Sequence, residues 1–547
     1  MSSVLHGVGV SPGRAAGPVV RVAEPLPEPA AGPAPADPAA EAARIAPAAK
    51  IVAARLDAAA AAATGPGREV LEATAMMAAD PALVSSAEQL VTGKNLPATR
   101  AVFEAAETFS AALAAAGGYL AERVRDIADV RDRLIAELLG APAPGVPPLS
   151  GRSILVARDL APADTAGLDP ALVLALVTEE GGPTSHTAIL ARALGIPAVV
   201  ACAGILDLTA DGLEIDGDTG EVTAQTGDVT VRAADTAGSA DWDGNGRTAD
   251  GHQVKVLANV GNPADARAGA DAGAEGVGLF RTEFSYLSAE TEPSEEAQRA
   301  EYAQVLAPFH GKPVVVRTLD AGADKPLKFL NPDPEPNPAL GVRGLRVARN
   351  RAGLLDRQLA AIAGAAIDSG AEVSVMAPMV ATAEEAAWFV DRAHTAGITR
   401  AGVMIEIPAA ALTAREILEA VDFVSLGTND LAQYVFAADR QVGAVAALND
   451  PWQPALLRLI QLVGQAATAA GKPAGVCGEA AADPALACVL AGLGVTSVSM
   501  NAPAVRRVGA ALSTATLRAC QAAAQAALAA PTPAAAKQAA RNLLTPA

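Results

Sequence analysis

The amino-acid sequence predicts a multidomain α/β protein in which a helical region and a small α/β domain precede a C-terminal (β/α)8 barrel. Three observations carry this expectation. The second half holds eight short apolar runs, most of them separated by helix-compatible sequence. Residues 41 to 140 are dominated by helix formers, and a cluster of strand-like pieces lies between these two regions. At 547 residues the chain exceeds what one core sustains, so several domains are expected.

Taken in order, residues 3 to 24 read as strand and give way to EPLPEPAAGPAPADPAAEAA, whose proline and alanine density suits a loosely ordered connection into a helix. The helical region that follows is punctuated by Pro81, Pro97 and the pair Gly117-Gly118. Its last element, YLAERVRDIADVRDRLIAELLG, spaces Leu120, Val124, Ile127, Val130, Leu134 and Leu138 by three or four. That spacing gives one apolar stripe facing a helical core. After the proline-rich APAPGVPPLS come SILVA, ALVLALVTE, IPAVVAC and GLEIDGDTGEV, which predict a small α/β domain over residues 150 to 225. A polar boundary, DTAGSADWDGNGRTADG, precedes the rest.

The eight runs beyond it are VKVLANV, GVGLFRTE, PVVVRTLD, EVSVMAPMV, AGVMIEIP, DFVSLGTND, PAGVCGEA and SVSMN, each closing on something polar or small. Eight parallel strands with intervening helices predict a barrel whose site lies at the strands' C-terminal mouth. Asn259, Arg281, Arg317, Glu406, Asn429, Asp430, Cys477 and Asn501 all fall at that end. Any one of them suits a plain strand cap, but together they are more selective. Two arginines offer forked donors to a multiply charged anion, and Glu406 with Asp430 supplies the one or two carboxylates typical of a magnesium site. The chemistry expected is that of a phosphorylated, metal-chelated small anion.

Composition narrows the classes. Apolar residues make up 51% and aromatics 3%, which points to a core of Val, Leu, Ile and Ala. A net charge of -19 without a lysine or arginine cluster argues against nucleic acid or an anionic membrane as partner. Cys202, Cys477, Cys488 and Cys520 lie far apart with no CxxC pair, against a zinc ribbon or a disulfide framework and in favour of a reducing compartment. The start, MSSVLHGVGVSPGR, lacks the pattern of a signal peptide, and no long charge-free apolar segment suits a bilayer span. A cytoplasmic protein is expected.

Only five histidines occur, and one stands in GGPTSHTAILARALG. The glycines permit tight backbone approach, Thr184 and Ser185 can cap a helix, and His186 falls near that helix's N-terminus. Free N–H groups and the macrodipole favour an anion there and disfavour imidazolium, leaving a ring lone pair available for attack. A surface or capping role also fits a lone histidine at a helix start, and residue order leaves that open.

The stretch GGPTSHTAILARALGIPAVV resembles the phosphohistidine segment of the phosphoenolpyruvate-utilising enzymes, a family that includes Enzyme I of the sugar phosphotransferase system and pyruvate phosphate dikinase. Further matches follow collinearly in GVGLFRTEF, VVVRTLDAGADKPL, NPALGVRGLR, MIEIPAA, SLGTNDLAQYVFAADR and GVCGEAAAD, with GVGVSPGRAAGPV near the start. The chain has no room for a dikinase's nucleotide-binding domain and no GxxxxGK[ST] loop. A helical domain nested in a small α/β domain and followed by a barrel resembles Enzyme I, without the sensory domain of the nitrogen-regulatory version. The resemblance implies a swivelling phosphohistidine α/β domain over 1–24 and 141–228 and an inserted helical-bundle domain over 38–140 that binds the phosphocarrier HPr. It further implies a linker over 229–250 and, over 251–547, a (β/α)8 barrel that binds phosphoenolpyruvate and dimerises.

By position, the resemblance implies that His186 accepts the phosphoryl group on Nε2. Arg281, Arg317 and Arg440 would contact phosphoenolpyruvate with Asn429 and Asp430 beside them, and Glu406 and Asp430 would hold Mg2+. Cys477 would exchange the proton at the methylene carbon, although a small buried hydrophobe at a strand end is the plainer reading of a free cysteine. Arg343 and Lys325 fall in matching motifs. Pro183 departs from the arginine or methionine of many relatives, leaving Arg192 or backbone amides to steady the phosphoryl group. Two other readings stay open at this point: a protein phosphorylated from a nucleotide bound elsewhere, and a non-catalytic reporter of the phosphoenolpyruvate to pyruvate ratio.

Overall fold

The structure, a computed structural model, describes the chain except residues 1–3, 12, 24–26, 63–65, 117–123, 143, 148, 150, 161–167, 169–170, 183–185, 218, 228, 230, 236–241, 288, 324–326, 328, 331–334, 440–442 and 545–547. It divides into two compact units, Met1–Thr236 and Ala237–Ala547.

In the first unit, β1 (Val4–His6), β2 (Val8–Ser11) and β3 (Arg14–Arg21) join β4 (Ser153–Ala157), β5 (Val173–Thr178), β6 (Ala198–Val200), β7 (Gly212–Asp216) and β8 (Glu221–Gln225) in one sheet. The order is β1-β8-β7-β3-β4-β5-β6-β2, and a further strand, β9 (Arg232–Asp235), pairs with β3. Strands β3, β4, β5 and β6 run parallel, while β7 and β9 run antiparallel to β3. Strand alternation divides the apolar residues between two faces. Ile154, Val156, Ala175 and Val177 pack in one core, and Leu155, Ala157 and Leu176 pack in the other.

Between β3 and β4 the chain forms helices α1 (Pro38–Ala42), α2 (Ile45–Ala62), α3 (Pro66–Ala78), α4 (Pro81–Lys94), α5 (Ala98–Ala116) and α6 (Val124–Leu139). Asp37 and Asp80 open α1 and α4 by accepting backbone N–H groups that would otherwise lack partners. Of the expected stripe, Ile127, Val130, Leu134 and Leu138 are buried in the helical core, whereas Leu120 and the Val124 side chain lie outside the described residues. Helix α7 (His186–Leu194) connects β5 to β6 and packs Ala188 and Ala191 into the second sheet core.

In the second unit all eight expected runs become strands of one closed parallel barrel: β10 (Lys255–Val260), β11 (Val277–Arg281), β12 (Pro313–Arg317), β13 (Glu372–Ala377), β14 (Ala401–Ile405), β15 (Phe423–Leu426), β16 (Ala474–Val476) and β17 (Ser497–Met500). Their apolar runs are nearly continuous because both faces are covered. Val256, Phe280, Val316, Val375, Val403, Val424 and Val498 face the surrounding helices, whereas Leu279, Met376, Met404, Phe423 and Cys477 fill the interior. The expected linker contains Trp242, which is 5% exposed, belongs to the barrel core and lies against Gly509 so closely that a Cβ there would sit 2.3 Å from the indole. Among the described residues no helix is long and apolar enough to cross a membrane.

Candidate active site at the barrel mouth

The barrel's C-terminal edge gathers the residues that the strand-end pattern singled out. Arg281 and Arg317 end neighbouring strands and are register partners. Arg317 is 7% exposed, donates from Nη2 to Glu283 Oε1 at 2.8 Å and places Nη1 3.5 Å from Asp320 Oδ2. Burial pulls its pKa down, but the carboxylates of Glu283, Asp320 and Glu406 outweigh that and hold it above the ordinary guanidinium value. Arg281 responds the other way: burial, and then repulsion from Arg317, lower its pKa. Its guanidinium carbon lies 5.2 Å from the Phe284 ring centre. The Nε atoms of both arginines are buried without a hydrogen-bond partner among the described residues.

Across the mouth, Glu406 follows β14 and is completely buried. Its Oε1 accepts the Met379 N–H at 2.6 Å, while Oε2 has no partner among the described residues. Burial first, then Asp430 and Asp320, push its carboxyl up to about 7. Asp430, in the first turn of the helix Thr428–Phe436 that follows β15, accepts from Arg343 Nη1 at 3.2 Å. Arg343 is 1% exposed and also forks onto Asp320, Nε to Oδ1 at 3.1 Å and Nη2 to Oδ2 at 3.0 Å. Asn429 Oδ1 accepts the Glu479 N–H at 3.0 Å, which ties the β15 and β16 loops together.

Cys477, just beyond β16, is 5% exposed and donates weakly from Sγ to the Leu426 carbonyl at 3.6 Å. Burial pushes its thiol up to about 11, so the proton stays on sulfur at neutral pH. Its own carbonyl accepts Asn259 Nδ2 at 3.0 Å, and Ser499 Oγ donates to Asn259 Oδ1 at 2.5 Å.

Three arginines (Arg281, Arg317 and Arg343) stand with four carboxylates (Glu283, Asp320, Glu406 and Asp430) around this mouth, counted among the described residues. Among the described residues no group of three His, Cys, Asp or Glu side chains suits a metal ion. Magnesium asks for less, since one or two carboxylates suffice when water and substrate oxygens complete its shell. Glu406, with one oxygen unpartnered and its charge disfavoured by neighbouring acids, together with Asp430 fits such a cation.

Of the remaining expected residues, Arg440, Lys325 and Pro183 lie outside the described residues, as do the side chains of His186 and Arg192. The backbone of His186 forms the first residue of α7, as its position after the glycine pair predicts. Sequence reasoning passed over Glu283 and Asp320. Both stand within three residues of an arginine that closes a strand, which was the available signal.

Comparison with known proteins agrees with this architecture. Residues 6–123, 149–220 and 240–517 match the phosphoenolpyruvate-utilising enzymes, as their N-terminal, mobile and phosphoenolpyruvate-binding domains respectively. The chain is 53% identical over 555 residues to a phosphoenolpyruvate-protein phosphotransferase of Streptomyces coelicolor, covering 100% of both chains. To that of Lactococcus lactis subsp. lactis it is 38% identical over 464 residues, covering 80% of each. An NMR solution structure of an Enzyme I protein aligns with 40% of this chain and 92% of its own, at 31% identity and a TM-score of 0.35. With three successive domains matched and a relative alike from end to end, the chain belongs to the phosphoenolpyruvate-utilising enzymes, within them to the phosphoenolpyruvate-protein phosphotransferases, and is a phosphoenolpyruvate-dependent phosphotransferase.

Proposed function

We propose that the protein moves the phosphoryl group of phosphoenolpyruvate onto Nε2 of its own His186 and then to a histidine of the phosphocarrier HPr, releasing pyruvate, as the first step of sugar phosphotransferase uptake. The observation that carries this reading is the mouth itself, where two arginines whose Nε atoms have no partner among the described residues stand near a buried Glu406 with one oxygen likewise unpartnered. Such a site lacks a cation and an anion together, and a metal-chelated phosphate ester supplies both.

Arg281, Arg317, Arg440 and Asn429 bind and orient the substrate, and Glu406 with Asp430 holds Mg2+. When bound, magnesium withdraws charge from the phosphoryl and enolate oxygens. The Nε2 lone pair forms the new N–P bond as the bond from phosphorus to the enol oxygen breaks. The enolate then takes a proton at its methylene carbon from Cys477 Sγ to become pyruvate. A thiol kept protonated by burial is suited to that donation. The site lies among largely buried side chains, where fixed charges act with little screening.

In the same reading the α/β domain, 1–24 with 141–228, carries the histidine and swivels on a linker within 229–250. The helical domain, 38–140, receives HPr. The barrel, 251–547, also forms a homodimer, and the protein works in the cytoplasm. The test is labelling of the purified protein by phosphoenolpyruvate and Mg2+: an acid-labile, alkali-stable phosphate that passes to HPr supports the reading. Equal labelling of His186→Ala defeats it.

A further inference from the structure

Behind the two arginine-bearing strand ends lies a run of completely buried polar side chains that no described chemistry uses. Thr282, Tyr286, Gln298 and Tyr302 are 0% exposed and Gln358 is 1% exposed. They come from the β11 loop, the short helix Phe284–Leu287, the helix Glu295–Leu306 and the helix Ala352–Ser369. Around Gln358 and Thr282 their hydrogen bonds have one consistent direction. The Leu319 N–H can only donate, so Gln358 Oε1 faces it, at 2.9 Å. The amide then turns Nε2 toward Thr282 Oγ1 at 3.1 Å and Tyr302 OH at 3.2 Å. Because the Thr282 hydroxyl accepts there, its own proton goes to the Arg317 carbonyl, at 3.0 Å. Tyr302 and Tyr286 stand 3.2 Å apart, and Tyr286 donates to Gln298 Oε1 at 2.7 Å. Gln298 Nε2 closes the run on the Pro293 carbonyl at 2.9 Å. Burial raises the pKa of both phenols, so neither ionises near neutral pH.

We infer that Gln358 is a positioning residue for phosphoryl transfer: through Thr282, next in chain to Arg281, and through Leu319, two residues beyond Arg317, it sets the spacing of the two guanidinium groups. Glu283 braces the same corner from the other side, accepting both Arg317 Nη2 at 2.8 Å and the Asp320 N–H at 2.9 Å. Ground-state attraction between charges tolerates a small displacement, whereas an in-line transfer does not. Loosening the run therefore lowers kcat more than it raises KM. This rests on the reading that Arg281 and Arg317 hold phosphoenolpyruvate.

The experiment uses the full chain, with kcat taken as the limiting single-turnover rate of labelling by phosphoenolpyruvate and Mg2+ and KM as the half-saturating phosphoenolpyruvate concentration, both measured per folded molecule well below the unfolding midpoint. Gln358→Met keeps the volume and removes every hydrogen bond, and it lowers kcat by roughly 10- to 100-fold with a smaller change in KM. Thr282→Val lowers kcat in the same way, and Thr282→Ser restores it to within about threefold, since only the hydroxyl matters. A merely structural run gives a lower unfolding midpoint with kcat unchanged, and that result overturns the inference. Should Gln358→Met fail to fold, the Val and Ser pair at Thr282 decides, and equal kcat for both overturns it. Wild-type protein that takes no label brings down the functional reading and this inference together, whereas a labelled wild type matched by the variants sinks the inference alone.

Discussion

Arg343 and Asp320 form a two-pronged ion pair inside the barrel mouth, Nε to Oδ1 at 3.1 Å and Nη2 to Oδ2 at 3.0 Å, with neither side chain exposed above 1%. The remaining arm of Arg343 holds Asp430. One guanidinium thereby fixes two acids that the chain places far apart, and removing it takes a buried ion pair from each. Arg343→Met is expected to cost about 3 to 5 kcal/mol, the penalty of breaking buried ion pairs from one side, read from denaturant unfolding. Arg343→Lys keeps the charge but not the fork, so it recovers only part of that loss.

The two arginines proposed to hold phosphoenolpyruvate are expected to separate activity from stability. Arg281→Ala and Arg317→Ala each remove about 2 to 4 kcal/mol of transition-state stabilisation, read as kcat/KM for phosphoenolpyruvate. Arg317 also satisfies Glu283 and approaches Asp320. Its removal therefore lowers the unfolding midpoint as well, and by more than the Arg281 change does.

Glu406 is buried, with one oxygen unpartnered among the described residues, beside Asp430 and Asp320. Glu406→Gln keeps the acceptor for the Met379 N–H and removes the disfavoured charge. The metal-free protein should melt higher as a result, by roughly 1 to 3 kcal/mol of relieved burial cost. Added Mg2+ then raises the melting temperature of the wild type by mass action and leaves that of the variant unmoved. Thermal scans with and without the ion check both statements, and equal responses to Mg2+ contradict the assignment.

Gly478 follows Cys477 at a point where two loops nearly touch. A Cβ there would stand 2.0 Å from Thr428 Oγ1 and 2.9 Å from the Thr428 backbone nitrogen. Gly478→Ala must therefore shift the helix start that carries Asn429 and Asp430. The expected result is about 1 to 3 kcal/mol of destabilisation, typical of overpacking, with a larger fractional loss of labelling rate than of folded protein.

The barrel was legible because its strands are covered on both sides and so appear as nearly continuous apolar runs that close on something polar or small. Val277–Arg281 and Pro313–Arg317 are plain cases, each closing on its arginine. Elsewhere one expected run became several elements. Residues 3 to 24 contain three strands, and GLEIDGDTGEV spans β7 and β8, which meet as an antiparallel pair. Strand β9 was not anticipated, since Arg-Ala-Ala-Asp has none of the β-branched or aromatic residues that signal a strand. At the site, residue order pointed to groups at strand ends but not to their partners. The contact between Gln358 and Thr282 joins residues 76 apart, and no local pattern encodes it.

One feature of the first sheet governs how the chain comes to be assembled. Strand β3 lies between β4 and β7, and Arg14 meets Asp216, 202 positions further along the chain, at 2.8 Å. The ribosome must release nearly all of this first unit before its central strand gains both neighbours. The helices that come between β3 and β4 bury their own core and can settle earlier. Until then the opening strands wait with open edges, and a nascent chain halted before β7 exposes them to self-association.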